Sequence, residues 1–324
     1  MQRYAWTRAF AETSGRDDSL KVAVVEDGAG VSAIAPLAMR RNGVTRLGLA
    51  GADQLFEPGD FVYRDRDALE RIAEGVARLR WPLHLARVEA GSPTVEALRR
   101  ACRRRTIFYR RMVAPYPSLQ LDESWREPEQ KFSSDRRSDM RRARRRAEQF
   151  GEVTAEVVSP SVEELPPLLE EIYRVEAAGW KGREGTALAI DDARRLFVTR
   201  LAEGAATAGF LRLAFLRIDG RAAAVQLAAE CGGRFWLLKV GYDEEFKRSS
   251  PGSLLMLETV RVAAAQGLES YELLGTAESW TRAWTDRERA CVALRTYPRR
   301  PAGLAAAAID AGQLARRRLS ARRS

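Results

Sequence analysis

A chain of 324 residues that is 45% hydrophobic and 30% charged can bury a core of one large domain or two ordinary ones. No run approaches the roughly 18 apolar residues of a membrane span, and the opening MQRYAWTRAF lacks the apolar centre of a signal peptide. Three widely spaced cysteines, Cys102, Cys231 and Cys291, argue against a disulfide framework, so the expectation is a reduced, cytoplasmic protein. The net charge of +10 is concentrated in Arg99–Arg111, Lys131–Arg146 and Arg295–Ser324. Such blocks suit anionic partners such as nucleic acid or lipid headgroups, or else form solvated arginine-rich faces.

In chain order, Leu20–Glu26 alternates as a strand, Asp27–Gly30 has turn chemistry, and Val31–Met39 returns. Short strands are expected at Thr45–Ala50 and Asp60–Tyr63. An amphipathic helix at Asp67–Leu79, a strand at Pro82–Val88, a helix at Pro93–Arg104 and a strand at Ile107–Val113 follow. Three prolines mark Pro115–Pro128 as a crossover and domain boundary. Asp135–Phe150 is an arginine-rich helix with an apolar seam at Met140, Ala143, Ala147 and Phe150. Val153–Val158 is a strand, and Ser161-x-x-Glu164 has capping-box spacing before a helix that ends near Gly179. Asp191 caps another helix. Phe210–Ile218, Asp219-Gly220, Arg221–Glu230, Cys231-Gly232-Gly233 and Arg234–Gly241 then read as a three-stranded meander.

The meander leads into Lys247-Arg248-Ser249-Ser250-Pro251-Gly252-Ser253-Leu254, where a turn meets the start of a strongly apolar helix that stops at Gly267. Open backbone N–H groups at a positive helix end, beside two cations, form a cradle for an anion, although the same residues serve equally as a plain helix start. Ser270–Leu274 then returns as a strand parallel to a neighbour. The first half repeats the order of hairpin, short strands, helix and strand, without a comparable cradle. The fold class is therefore α+β in two similar units, with boundaries expected at 1–117, 118–298 and a basic tail at 299–324.

Strand, DG turn, strand, GG turn, strand, cradle, helix and strand is the order of the GNAT acyltransferase core. Trp180-Lys181-Gly182, Gly241-Tyr242-Asp243, Ser250-Pro251-Gly252 and Glu272-Leu273-Leu274-Gly275 stand in sequence along it. Together they resemble the CelD/BcsL-type N-acetyltransferases associated with exopolysaccharide genes, relatives of FemAB-like proteins. The resemblance implies tandem GNAT-like domains with a mixed sheet flanked by helices, the first domain without a cofactor loop. It implies acetyl-CoA or another acyl-CoA as co-substrate and no metal. The expected coenzyme-binding residues are Val240, Gly241 and Lys247 through Leu254, that is Lys247, Arg248, Ser249, Ser250, Pro251, Gly252, Ser253 and Leu254. A backbone N–H near Val240–Gly241 would polarise the thioester carbonyl.

Glu272 and Glu176 are candidate bases, and Tyr242 a candidate partner for the departing thiolate; solvated glutamates and a packing tyrosine are the structural alternatives. Trp180, Lys181 and Trp280 are expected to line the acceptor pocket. His84, the single histidine, reads as structural, which argues against zinc or a histidine-based triad. The implied reaction is acyl transfer to an amine or hydroxyl, such as an amino sugar or polysaccharide precursor. Alternatives are a FemAB-like transferase using aminoacyl-tRNA, a nucleic-acid-binding protein, and a non-catalytic scaffold. The tail, with Leu304, Ile309, Leu314 and Leu319 among arginines, is either a loose basic tail or a peripheral contact with anionic membrane.

Overall fold

The computed structural model describes residues 4–14, 20–42, 44–55, 57–103, 106–179 and 191–320. It divides into two compact units, one of Met1–Pro115 with Arg289–Ser324 and one of Tyr116–Glu288. Among the described residues no helix is long and apolar enough to cross a membrane.

Unit 1 begins with α1 (Tyr4–Ser14), whose buried Trp6, Ala9 and Phe10 recur at helical spacing. The strands β1 (Leu20–Asp27), β2 (Gly30–Asn42) and β3 (Val44–Leu49) form an antiparallel meander, and β4 (Val62–Tyr63) pairs with β2. Helix α2 (Arg66–Ala77) then crosses over to β5 (Leu83–Glu89), which lies parallel to β3 with Leu47 opposite Leu83. Asp65 caps α2 by accepting a hydrogen bond from Ala68 N at 2.9 Å. Helix α3 (Pro93–Cys102) follows, and its Cys102 thiol is buried and pushed up to about 11 by that burial. The core joins Leu37, Leu47, Leu69, Ile72, Leu85 and Leu98.

The strand expected to stop at Val113 continues. β6 (Thr106–Gln120) runs through Pro115 and Pro117, so the crossover expected from Pro115 is corrected to a strand and a chain boundary within it. A proline lacks only the donor, and its carbonyl still pairs: Pro117 O accepts from Leu273 N at 3.0 Å.

Unit 2 continues with α4 (Ser134–Glu148), β7 (Val153–Val158), α5 (Leu165–Ala178) and α6 (Asp192–Thr207). The capping-box bonds form, Ser161 N to Glu164 Oε2 at 2.9 Å and Glu164 N to Ser161 Oγ at 3.3 Å, one turn ahead of the helix proper. The meander is β8 (Leu211–Ile218), β9 (Arg221–Cys231) and β10 (Arg234–Tyr242), antiparallel in register. Its turns are left-handed at Asp219 (φ 49°) and Gly220 (φ 74°), and at Gly232 (φ 61°) and Gly233 (φ 69°), the primed-turn geometry that matches strand twist. Helix α7 (Pro251–Ala265) crosses to β11 (Ser270–Glu272), parallel to β10 and antiparallel to the end of β6. Both units thus contain a meander, a helix and a parallel strand. The sheet of unit 2 is buried on both faces: α4 and α7 pack on the face of Ala214, Leu216, Phe235 and Tyr271, and α5 on the face that carries Arg217, which pairs with Glu171. The four-residue α8 (Ser279–Arg282) precedes the last strand.

β12 (Glu288–Pro298) neighbours β5 in unit 1, and Pro301–Ser320 forms a helix, α9, in place of a loose tail. Its only acid, Asp310, is buried against Arg46 and Arg295 and accepts from Tyr297 at 2.7 Å. Burial pushes the Asp310 carboxyl up, but hydrogen bonds from Arg46 and Tyr297 and the charge on Arg295 more than reverse it. The same arginines act on His84: burial first, then Arg295 and Arg46, hold its imidazole down at about 4. The unfolded chain takes up the His84 proton near pH 6.5 while the folded chain refuses it until about 4, so stability falls as pH drops through that window. Acid titration of thermal stability should therefore lose up to about 3 kcal/mol between pH 6.5 and 4. His84→Gln should flatten that loss, and a variant that keeps the full wild-type slope would assign it to other groups.

Candidate active site

Three chain ends meet in unit 2: the C-terminal turn of α5, the end of β10 and the start of α7. Glycine makes the meeting possible. A Cβ at Gly241 would stand 2.8 Å from Glu176 Cα and 3.1 Å from Glu176 N, so β10 touches the backbone of α5 where any side chain would collide. A Cβ at Gly179 would lie 3.0 Å from Tyr242 O, and one at Gly252 would lie 4.0 Å from the Tyr242 ring. Glu176, Gly241, Tyr242 and Gly252 are therefore gathered together. Glu176 is buried, and Tyr242 is half-buried.

Beside them the sheet opens. β10 pairs with β9 to Tyr242, but with β11 only from Arg234 to Trp236. A bulge between Leu237 and Lys239 bends β10 just past that last pair. β11 meanwhile turns away through left-handed Leu274 (φ 59°) and Gly275 (φ 57°), its Leu273 amide already given to Pro117. The edge of β10 from Leu237 to Tyr242, which includes Val240, has no β11 partner.

The cradle is smaller than the sequence suggests. Ser250 is left-handed (φ 46°, ψ 50°) and caps α7 with no side-chain hydrogen bond. Its carbonyl collects Ser253 N at 3.0 Å and Leu254 N at 3.2 Å, while Ser250 N donates to Lys247 O at 3.1 Å. The expectation of a row of open amides from Ser250 to Leu254 is corrected accordingly: the first helical ring closes at Leu254, and Pro251 has no N–H. Gly252 N is left with no acceptor among the described residues. No acidic side chain lies in the first turn of α7, in contrast with Asp65 and Asp67 at α2. Lys247 and Arg248 are exposed on the preceding 3-10 turn, and Ser249 Oγ is buried without a hydrogen-bond partner.

Glu272 stands apart. It is fully buried on β11 opposite Trp236, accepts from Ser270 Oγ at 2.7 Å and lies 3.8 Å from an Arg234 nitrogen. Six residues of strand, roughly 20 Å, separate the Trp236 level from Tyr242. The structure does not bring Glu272 to the cluster. Trp280, 39% exposed on α8, donates its Nε1 to Glu278 Oε2 at 2.9 Å. Trp180 and Lys181 lie outside the described residues.

The sequence reading missed that α4 flanks the cradle. Arg146 donates to Arg248 O at 3.2 Å, and Phe246, behind Lys247, packs against Ala143 and Ala147 and edge-on to Phe150. Arg141 and Arg145 are exposed on the same helix. The apolar seam of α4 was the available signal, since a helix with a buried seam must lie against something.

Residues 134–282 match the family model described as an acetyltransferase (GNAT) domain. Comparison with curated protein sequences returns no match. Among solved structures, FemX aligns with a TM-score of 0.61 at 12% identity, over 92% of this chain and 91% of its own. The C-terminal domain (DUF2156) of a candidate lysylphosphatidylglycerol synthetase from Agrobacterium fabrum aligns with a TM-score of 0.56 at 15% identity, over 95% and 96%. A conserved protein of unknown function from Bacteroides thetaiotaomicron gives 0.56 at 11% identity, over 90% of each chain. At these identities the structural likeness is one of fold, and the fold is the GNAT fold: α+β, a mixed sheet flanked by helices.

The glycine contacts separate packing from binding. Gly241→Ala should lower stability by about 1–3 kcal/mol, because the colliding atoms are backbone. Gly252→Ala, with 4.0 Å of room, should leave the melting temperature within a degree or two. Equal effects in a paired thermal melt would show that the close approach of β10 to α5 is looser than drawn.

Proposed function

We propose that this acyltransferase, whose residues 134–282 match the GNAT acetyltransferase domain, moves an acetyl or other acyl group from coenzyme A directly to an amine. The observation that carries the reading is the start of α7: a 15-residue helix with neither side-chain cap nor acid in its first turn, beside two exposed cations and the stretch of β10 that β11 leaves. GNAT domains generally use acyl-CoA. The coenzyme diphosphate would rest on Gly252 N and the positive end of α7, with Lys247 and Arg248 adding charge. Each such charge contributes about 0.3–1 kcal/mol where exposed.

The pantetheine arm would lie along the stretch of β10 beyond its last pair with β11. Glu176 takes the proton of the acceptor ammonium, and the freed amine attacks the thioester carbonyl carbon. An edge N–H near Val240–Gly241 holds the resulting oxyanion. The C–S bond breaks as the carbonyl reforms, the thiolate takes a proton from Tyr242, and the attacking nitrogen, becoming an amide, returns one to the Tyr242 oxygen. Holding the two reactants in line supplies much of the rate, and no covalent enzyme intermediate is needed. Trp280 lies on the acceptor side, and the CelD/BcsL-type motifs point to an amino sugar or polysaccharide precursor.

The test is calorimetry with coenzyme A, paired with thiol release from an acyl-CoA panel. Gly252→Trp, which sets an indole against Tyr242 and the helix start, should weaken coenzyme binding at least about tenfold with the fold intact. Wild-type protein that binds no coenzyme A would end the reading, and binding that ignores Gly252→Trp would move the site elsewhere.

One observation favours a second reading, the FemAB-like use of aminoacyl-tRNA: Arg146 of α4 reaches the Arg248 carbonyl, and Arg141 and Arg145 are exposed on the same helix. On that reading log affinity for RNA falls linearly with log salt, and each Arg→Ser change at 141 or 145 lowers the slope by about one. A salt-independent or absent RNA complex would leave coenzyme A as the donor.

A further inference from the structure

Helix α9 buries only a narrow stripe. Gly303, Ala306 and Asp310, at i, i+3 and i+7, are buried against the rest of unit 1, and Asp310 pins the helix there through Arg46 at 2.7 Å and Arg295 at 2.9 Å. The opposite side is apolar as well. Leu304 is 51% exposed and Ile309 41%, and exposed Ala305 and Ala308 fill the surface between them. Single exposed leucines are ordinary, but these residues make one continuous face over two adjoining turns. A helix that is apolar on its covered and its uncovered side suits two neighbours, and unit 1 supplies one.

The charges around that face are of one sign. Arg299 and Arg300 are exposed just before the helix, and Arg316 is exposed seven residues after Ile309, on the same face. From Arg299 to Ser320 the only acid is Asp310, and its carboxylate is already engaged inside unit 1. Among the described residues no carboxylate pairs with Arg299, Arg300 or Arg316. An apolar strip thus runs between cations over roughly 24 Å of helix, with no exposed acid to answer them.

This pattern selects the neighbour. A second copy docked through α9 would set cation against cation. Parallel pairing brings each arginine group to its own twin, and antiparallel pairing brings Arg316 to Arg299 and Arg300. A nucleic acid would answer the arginines but gain nothing from Leu304 and Ile309. A bilayer containing anionic lipid answers both: its phosphates take the guanidinium groups, and its acyl boundary takes the leucine and isoleucine.

We infer that the outward face of α9 rests on an anionic lipid surface. The helix lies in the plane of the interface, with Leu304 and Ile309 inserted and Arg299, Arg300 and Arg316 among the headgroups. It does not span, since no described helix is long and apolar enough to do so. The contact belongs to unit 1 and stands whatever the chemistry of unit 2. Each arginine near such a surface strengthens the association about fivefold, and salt weakens it.

Full-length protein sedimented with phosphatidylcholine vesicles, alone or mixed with phosphatidylglycerol, tests the inference. Wild type should bind the mixed vesicles at least about tenfold better than the neutral ones, and less as salt rises. The double change Leu304→Ser, Ile309→Ser should lower that binding about tenfold, and the triple change Arg299→Gln, Arg300→Gln, Arg316→Gln about a hundredfold. All of these side chains are exposed, so the melting temperature should stay within about a degree or two of wild type. Leu304→Met, which keeps an apolar side chain, should bind as wild type does. Failure of wild type to bind mixed vesicles overturns the inference, as does equal binding to neutral ones. Binding that falls with the arginines but ignores Leu304→Ser, Ile309→Ser is plain electrostatic adhesion and overturns it too. A dimer in sedimentation velocity that the same double change dissociates assigns the face to a second copy instead.

Discussion

The inequality between the two sides of β10 governs unit 2. On one side β9 pairs with it from Arg234 to Tyr242; on the other, β11 pairs for three residues and then leaves. Backbone groups that lose a partner inside a protein must find another or be served by a ligand. The bulge past Leu237 and the left-handed pair Leu274–Gly275 enforce the parting, so it is built into backbone geometry and does not depend on any one side chain. Glu176, Gly241, Tyr242 and Gly252 lie beside that opening.

What keeps the opening from closing is the anchoring of α7. Tyr271 stacks on Phe235 at 4.6 Å, donates to Gln226 Oε1 at 3.0 Å and meets the Thr259 hydroxyl of α7 at 3.0 Å. Burial lifts the Tyr271 hydroxyl far above the usual phenol range, so it remains a neutral donor at all working pH values. Strand, crossover helix and neighbouring strand are thereby tied by side chains at the closed end of the sheet, leaving the other end free to spread. Glu272, which accepts from Ser270 Oγ and lies near Arg234, belongs to this closed end.

The meander was legible because its turns are written in residues that only a left-handed backbone favours, Asp219-Gly220 and Gly232-Gly233. The convergence of Glu176, Tyr242 and Gly252 followed from the order of elements once the parallel crossover was recognised. Distance along a strand was not legible: nothing in the residues of β11 says that pairing ends at Glu272, which is why that glutamate read as a catalytic group. Two helices were hidden for different reasons. The α1 signal, Trp6, Ala9 and Phe10, stands in a segment inspected for a leader peptide alone, and α9 is fixed by Asp310 meeting Arg46, a partner 264 positions away. Prolines 115 and 117 misled because they mark a missing donor, whereas a carbonyl still pairs, as Pro117 O does with Leu273 N.

The two units repeat one plan, yet their crossover helices begin differently. Asp65 lays a carboxylate across the first turn of α2, so that end already carries its negative charge as part of the polypeptide. An incoming diphosphate would meet repulsion there and attraction at α7. Should each chain titrate with a single equivalent of coenzyme, the ratio would be set by one acidic residue acting as an internal competitor, and duplication of the fold would have doubled the scaffold without doubling the catalytic stoichiometry.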